Sequence, residues 1–377
     1  MFAFAFFDSG EAYRFFSANT NRYGRVVTTE NAARWRHTAW RPGDTLVWTL
    51  DTSADWSLWF GSSAGARPAL EKALAAWSDI PNADISWELA DEAASDYGAT
   101  GPRDRTRNWV SIDPIGEFGG QARMWWGRAG AEWQIDQCTI VGGSRLAEEP
   151  PDWFKELEED DPERMYPALG MWIHEFGHCL GLHHSQRLPT RRLPVRRDSD
   201  TAGGRPDWYR VMQSDAWVAD PQMSYGWSDF GLEHPVTADD AAGARLLRPG
   251  RGWLRTTGAI SGSLVMEGRP ARYVHVWAFP ADAMTGVGQP SPVGVFSDRE
   301  GNFLIEGLAP GEYVLWVSPM TERPAHFWVA GQAGPSVADE TVVPYPVRVT
   351  AGSVTESISI ALRRGRECRP PAPCGIP

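Results

Sequence analysis

The chain contains 377 residues, of which 42% are hydrophobic and 12% are aromatic, and its formal net charge at pH 7 is -12. This length and apolar content are sufficient for two globular domains, each with its own core. The negative charge argues against nucleic acid and against an anionic membrane surface as partners, and no stretch approaches the roughly eighteen apolar residues of a membrane span.

Strand and helix patterns alternate in the first third of the chain. Residues 1–30 have no clear period, and we expect an irregular segment that wraps the domain. Three short segments rich in β-branched and aromatic residues predict strands: 45–50, 84–89 and 109–112. Between them, residues 68–77 predict a helix, because Leu70, Leu74 and Trp77 share one face. Strands separated by a helix favour a sheet that contains parallel pairs.

Further strands are predicted at residues 119–125 and 134–141. An acidic run at 155–161 follows, and it is typical of a solvated loop and helix start. A calcium site is the open alternative there, but the regular spacing of calcium ligands that would support it is absent. Pro167 then opens the next predicted helix.

That helix carries the most informative motif of the chain. His174 and His178 are four residues apart, so their imidazoles lie on one helix face and can bind the same ion. Glu175 is placed to reach a water molecule bound to the ion, but not to be a ligand itself. Gly181 tolerates positive φ, which ends the helix and returns the chain so that His184 supplies a third nitrogen. Three neutral ligands with one open position are typical of catalytic zinc.

These residues resemble the zinc-binding motif of the metzincin metalloproteases. Residues 221–226, Pro-Gln-Met-Ser-Tyr-Gly, are similar to the methionine turn of the serralysin members, whereas Ser185 after the third histidine is similar to the matrixin branch. The resemblance implies an α+β catalytic domain over residues 1–250, with a twisted mixed sheet and a zinc-binding active-site helix. It also implies that Met223 lies beneath the zinc and that Tyr225 contacts the metal or the oxyanion of the reaction.

The segment Gly120, Gln121 and Ala122 is similar to the metzincin edge strand that pairs with the substrate backbone. Pairing of this kind is β-augmentation, in which an extended peptide adds itself to an exposed sheet edge. The alternative is an ordinary buried strand.

The pattern changes in the last third of the chain. A capped helix begins after Thr237, and residues 251–256 are a predicted linker. Short alternating strands over 257–363 predict an all-β antiparallel sandwich, with a hairpin-type turn at 298–301. This part resembles the carboxypeptidase regulatory-like (transthyretin-like) domain, which is not catalytic.

Two histidines of this second part, His275 and His326, are expected to be surface or packing residues. Residues 364–377 form a tail rich in proline. We expect the second part to stabilise the first, and attachment to a surface or a large substrate is the alternative.

The four cysteines are too few for a disulfide scaffold in a chain of this length. Cys138 and Cys179 fall in segments expected to be buried, where free thiols behave as small hydrophobic groups. Cys368 and Cys374 are near enough in sequence to close a small loop, but no bridge is predicted. The apolar residues 1–7 are too short for a signal peptide, although a zinc protease of this type is expected to be secreted.

The sequence therefore predicts a zinc-dependent endopeptidase that acts on protein or peptide substrates. Glu175 is the predicted general base, and Tyr225 is the predicted stabiliser of the oxyanion. Two alternatives stay open: a zinc amidase acting on cell-wall or glycan-linked substrates, and a catalytically silent binding or adhesion protein. The twenty tryptophans are expected to be mostly core residues, although a carbohydrate-binding wall would favour the amidase.

Overall fold

The structure of the protein is a computed structural model. It describes residues 14–15, 35–36, 39–60, 63–95, 97–98, 101–102, 106–113, 120–129, 132–143, 166–183, 192–197, 207–212, 236–272, 274–281, 292–298, 300–318, 338–339 and 341–364. The fold is rich in β-structure and contains several sheets.

The helices are α1 (Ser57–Phe60), α2 (Ser63–Ser78), α3 (Tyr166–Leu180), α4 (Ala238–Leu247) and α5 (Trp253–Thr256). The strands of the first part are β1 (Arg14–Phe15), β2 (Leu46–Asp51), β3 (Trp87–Ala93), β4 (Tyr97–Gly98), β5 (Gly101–Pro102), β6 (Asn108–Asp113), β7 (Gly120–Ala129), β8 (Glu132–Gly143), β9 (Leu182–His183), β10 (Arg192–Arg197) and β11 (Asp207–Met212). None of the described helices is long and apolar enough to cross a membrane.

The main sheet of the first part has the order β3-β2-β6-β8-β7. Its pairs are parallel except for the last one, in which β7 runs antiparallel to β8. The predicted mixed sheet with parallel pairs is therefore confirmed. The strand β7 ends the order, so it forms one edge of the sheet as far as the structure describes it.

Helix α2 is longer than predicted. It begins at Ser63, so Pro68 lies inside the helix instead of opening it. Proline lacks a backbone N–H, and so close to the start of a helix this leaves only one early carbonyl without its intrahelical donor. The predicted apolar face is confirmed, because Leu70, Leu74 and Trp77 are all buried.

Aromatic side chains fill the space between the main sheet and α3. Trp48 and Trp87 pack against Phe176 of α3, with ring centroids 4.9 and 5.7 Å away. Trp56 lies 5.6 Å from Trp172 of the same helix. Among the described residues twelve tryptophans are buried, which confirms that most of this residue type packs in the core.

The expectation of two free buried thiols is wrong. Cys138 of β8 and Cys179 of α3 form a disulfide, with their Cα atoms 5.7 Å apart. Both residues are fully buried, as predicted. The sequence gives no direct sign of this pair, because the two cysteines are 41 residues apart and meet only when α3 packs on the sheet.

The strands of the second part are β12 (Gly258–Met266), β13 (Arg269–Pro270), β14 (His275–Pro280), β15 (Val293–Phe296), β16 (Asn302–Leu308), β17 (Gly311–Ser318), β18 (Thr341–Val342), β19 (Val347–Val349) and β20 (Val354–Leu362). They form two sheets. One contains β13, β12, β16 and β20, and the other contains β15, β14, β17, β18 and β19.

Two details of the predicted sandwich are corrected. The strand β20 pairs with β12 in parallel, so the sandwich is not wholly antiparallel. The turn at residues 298–301 links β15 of one sheet to β16 of the other, so it is an arch between sheets and not a hairpin. A turn signal in the sequence marks a reversal of the chain, but it does not say in which sheet the next strand will pair.

His275 lies inside this sandwich, as a packing residue. Its ring stacks on Phe296 at a centroid distance of 4.4 Å and lies 4.0 Å from the ring of Trp277. His326, which was also predicted to be a surface or packing residue, lies outside the described residues.

Helix α4 joins the two parts. The predicted cap at Thr237 is confirmed, and Thr237 forms a capping box with Asp240. The helix packs on the sandwich, where the carboxylate of the buried Asp239 accepts a 2.9 Å hydrogen bond from the backbone N–H of Gly294 in β15. Burial, reinforced by the neighbouring Asp240, raises the pKa of Asp239 well above its usual value.

The buried carboxyl of Asp239 is expected to make the protein less stable as the pH rises. A carboxyl whose pKa is higher in the folded than in the unfolded state binds more protons when folded, so stability falls above its ordinary pKa of about 4. We expect the wild type to lose more stability between pH 5 and pH 8 than Asp239→Asn. Urea unfolding at both pH values measures this, and the exposed Asp44→Asn is the control. An unchanged pH dependence in Asp239→Asn would contradict the prediction.

Candidate metal centre

Helix α3 brings its two histidines together. The rings of His174 and His178 are nearly perpendicular, with centroids 4.7 Å apart. Candidate ligand atoms of His174, Glu175 and His178 all lie within 4.8 Å of one another. Glu175 and His178 are buried, whereas His174 is half-buried. This cluster combines two imidazoles and a carboxylate, which are ligand types that zinc prefers.

The turn after the helix fixes the ring of His178. Gly181 has a φ of 116°, in the region that glycine adopts at low cost, and its N–H donates to the carbonyl of His178 at 2.9 Å. The chain reversal brings the carbonyl of Leu182 to 2.8 Å from Nδ1 of His178. A carbonyl only accepts, so Nδ1 carries the proton and Nε2 keeps its lone pair for a metal. The predicted helix end at Gly181 is therefore confirmed.

Glu175 faces the start of β7. The backbone N–H of Ala122 donates a hydrogen bond to its carboxylate, and burial raises the pKa of Glu175 to about 8. Burial disfavours the charged form, and the single backbone hydrogen bond opposes this effect only in part. A separation below 4.8 Å from both imidazoles suits a metal ligand as well as a proton acceptor beside the metal.

Close packing of β7 on α3 depends on Gly120. A Cβ atom at this position would lie 2.9 Å from Cγ of Glu175 and closer still to Sδ of Met171. Only a residue without a side chain allows the strand to approach the helix this closely. The predicted substrate segment of Gly120, Gln121 and Ala122 is thus the part of β7 that contacts the glutamate-bearing face of α3.

Several predicted site residues cannot be placed in this geometry. His184, Met223 and Tyr225 lie outside the described residues, so their roles stay predictions. Leu182 and Met171 were missed by sequence reasoning. Leu182 contributes its backbone carbonyl to His178, and no side-chain type in the sequence signals such a contact. Met171 packs against Gly120, and in the sequence it is an ordinary apolar residue of the helix.

Comparisons with known proteins add little. No protein-family model matches the sequence, and no curated protein matches it significantly. The minor pilin of Streptococcus agalactiae is 18% identical over 31% of this chain and 48% of its own length, with a TM-score of 0.18. A DUF3823 family protein from Parabacteroides merdae is 17% identical over 29% and 46%, with a TM-score of 0.18.

A putative carbohydrate-binding protein from Pseudomonas aeruginosa is 14% identical over 29% of this chain and 90% of its own, with a TM-score of 0.19. The chain therefore spans about half the length of the first two proteins. Similarities at these TM-scores carry no argument about fold or function, so the function has to be argued from the site itself.

Replacement of Gly120 by alanine is expected to separate β7 from α3. The added methyl group overlaps Met171 and Glu175, and overpacking of this kind costs about 1–3 kcal/mol of unfolding free energy. Chemical denaturation measures the loss. Gly311→Ala is the matched control, because a Cβ there meets only a ring carbon of Tyr313 at 3.9 Å. Equal stability of the two variants would show that β7 does not press on the helix.

Proposed function

We propose that the protein is a zinc-dependent endopeptidase of the metzincin type. The observation that carries the proposal is the placement of two histidines and a buried glutamate on one helix, beside an edge strand of a mixed sheet. The residues present fit the metal, since His178 already has its tautomer set by a backbone carbonyl. His174 and His178 would hold the zinc, and the resemblance supplies His184 as the third ligand.

Zinc held by these histidines would supply a Lewis acid for the attacking water and for the carbonyl group of the substrate. Glu175 accepts the proton of the attacking water and passes it to the leaving amine. In the metal-free site, burial raises the pKa of Glu175 to about 8, so the carboxyl holds a proton near neutral pH. The positive charge of a nearby metal favours the carboxylate form, so metal uptake is expected to release a proton from the site.

The substrate is proposed to bind along β7. An extended peptide that adds to this edge would run past the glutamate, because Ala122 and Glu175 share a hydrogen bond. The general base and the strand that orients the peptide are thus joined directly. Tyr225 as oxyanion stabiliser and Met223 beneath the metal follow from the metzincin resemblance.

The second part is proposed to be non-catalytic and to stabilise the first. Its contact with α4, through Asp239 and Gly294, supports this role. We also propose that the protein is secreted. The disulfide supports export, because such bonds persist mainly in oxidising compartments.

The amidase alternative loses its main support. It relied on a glycan-binding wall of tryptophans, whereas twelve tryptophans in the described part of the chain are buried in the core. The intact Glu175 disfavours a catalytically silent binding protein. Burial of a carboxyl group lowers the stability of the fold, and a protein without catalytic activity gains nothing in return.

Glu175→Gln is expected to keep zinc and to lower kcat by about 10²- to 10⁴-fold, the usual contribution of general acid–base catalysis. Glutamine preserves the shape and can still accept the N–H of Ala122, but it cannot take up a proton from water. Hydrolysis of a broad peptide library by the wild type and the variant, with and without a zinc chelator, measures the effect.

Zinc content, measured on both proteins, is the control for this experiment. Cleavage that is lost with the chelator and in the variant supports the endopeptidase. Normal hydrolysis by Glu175→Gln would overturn the mechanism. A wild type that holds zinc but cleaves only cell-wall amides would favour the amidase.

A further inference from the structure

Two tryptophans from outside α3 donate hydrogen bonds to its backbone. The indole N–H of Trp77 donates to the carbonyl of Ile173, and the indole N–H of Trp35 donates to the carbonyl of Cys179, each at 2.8 Å. Both indoles are buried. Ile173 directly precedes His174, and Cys179 directly follows His178, so each bond lies one residue from a candidate metal ligand.

The Trp35 bond belongs to a larger anchor on β8. Trp35 forms a β-bridge with Ile135 of that strand, and the next backbone N–H, of Arg36, donates to the carbonyl of Ile135 at 2.9 Å. Three residues further along β8, Cys138 is bonded to Cys179. The last turn of α3 is therefore tied to β8 in two ways, covalently through the disulfide and indirectly through the hydrogen bond of Trp35.

This anchor acts on the ring of His178 through a short path. His178 donates from Nδ1 to the carbonyl of Leu182, three residues beyond Cys179. The position of Leu182 depends on where the helix ends and how the chain turns at Gly181. A last turn that is free to fray would move this carbonyl and release the ring.

Trp77 acts at the other ligand. It lies on α2, which packs along α3, and its side chain is fully buried. Ile173 lies in the middle of α3, where its carbonyl already accepts a hydrogen bond within the helix. Because a carbonyl oxygen has two lone pairs, it can accept the indole N–H as well without losing the helical bond. The bond restricts the rotation of α3 about its axis, and its movement along that axis relative to α2, at the residue before His174.

We propose that Trp35, Trp77 and the Cys138–Cys179 disulfide are positioning groups that set the metal affinity of the His174–His178 pair. They touch neither metal nor substrate and act by holding the helix backbone at both ligands. Groups outside the ligand sphere that orient a ligand commonly contribute 10- to 100-fold to metal affinity. This inference rests on the proposed function only for the identity of the metal as zinc.

The test compares zinc affinity in three purified apo variants: Trp35→Phe, Trp77→Phe and the control Trp56→Phe. Phenylalanine keeps a ring in the core but removes the donor. The control loses a matched bond, because the buried Trp56 donates from its indole to the carbonyl of Asp51 at 2.7 Å. Its ring also packs on α3, against Trp172, so it differs from the other two in donating to β2 and not to the helix backbone. Competition with a chromophoric chelator gives the affinity, and thermal unfolding of the apo protein gives the stability.

We expect Trp35→Phe and Trp77→Phe to bind zinc about 10-fold more weakly than the wild type, and Trp56→Phe within about 2-fold of it. All three are expected to lose similar thermal stability. Equal zinc affinity in the three variants would overturn the proposal, since a purely structural role lowers stability without this difference. If one variant does not fold, the other gives the same comparison with Trp56→Phe.

The disulfide is tested separately with the double variant Cys138→Ala/Cys179→Ala, which is expected to bind zinc more weakly by a similar factor. Unchanged affinity would remove the disulfide from the set of positioning groups. Peptide hydrolysis by the wild type is measured alongside. If the zinc affinities of the variants follow the expected order but the wild type cleaves no peptide, the proposal on the positioning groups stands and the proposed endopeptidase activity is overturned. Absence of zinc binding by the wild type would overturn both proposals.

Discussion

The burial of α3 is the constraint on which the rest of the site depends. The helix has apolar or aromatic residues on nearly every side, and rings from the sheet and from α1 pack against it. Such a helix cannot turn or slide without opening cavities in a close-packed core, which costs several kcal/mol. The same burial places Glu175 in a medium of low polarity and so raises its pKa. The burial of α3 therefore both restricts the movement of the helix and raises the pKa of Glu175.

The second part of the chain is joined to the first through a polar group placed where apolar ones dominate. α4 is rich in alanine, so it comes close to the sandwich, and Ala242 faces Gly307 of β16 at near contact distance. Within this small-residue interface Asp239 bonds to Gly294. A buried carboxyl that has to keep this hydrogen bond favours one relative placement of the two parts, at some cost in stability.

Local patterns in the sequence predicted many elements, and long-range contacts explain most of the differences. The strand at residues 45–50, which its β-branched and aromatic content predicts, the apolar face of α2 and the cap at Thr237 all depend on nearby residues, so the sequence predicts them well. The metal motif was also predictable, because His174 and His178 are neighbours on one helix. The disulfide and the indole bonds of Trp35 and Trp77 join residues far apart in sequence, and a single sequence contains no pattern for such contacts.

The parallel pairing of β20 with β12 has a consequence for synthesis of the protein. β12 is the first strand of the sandwich, and among the described strands only β20 covers one of its edges. β20 emerges from the ribosome more than ninety residues later. Until then the nascent chain exposes an unpaired edge, to which other strands can add. The second part can therefore complete its fold only late in synthesis, and during that interval the free edge of β12 is open to wrong pairing.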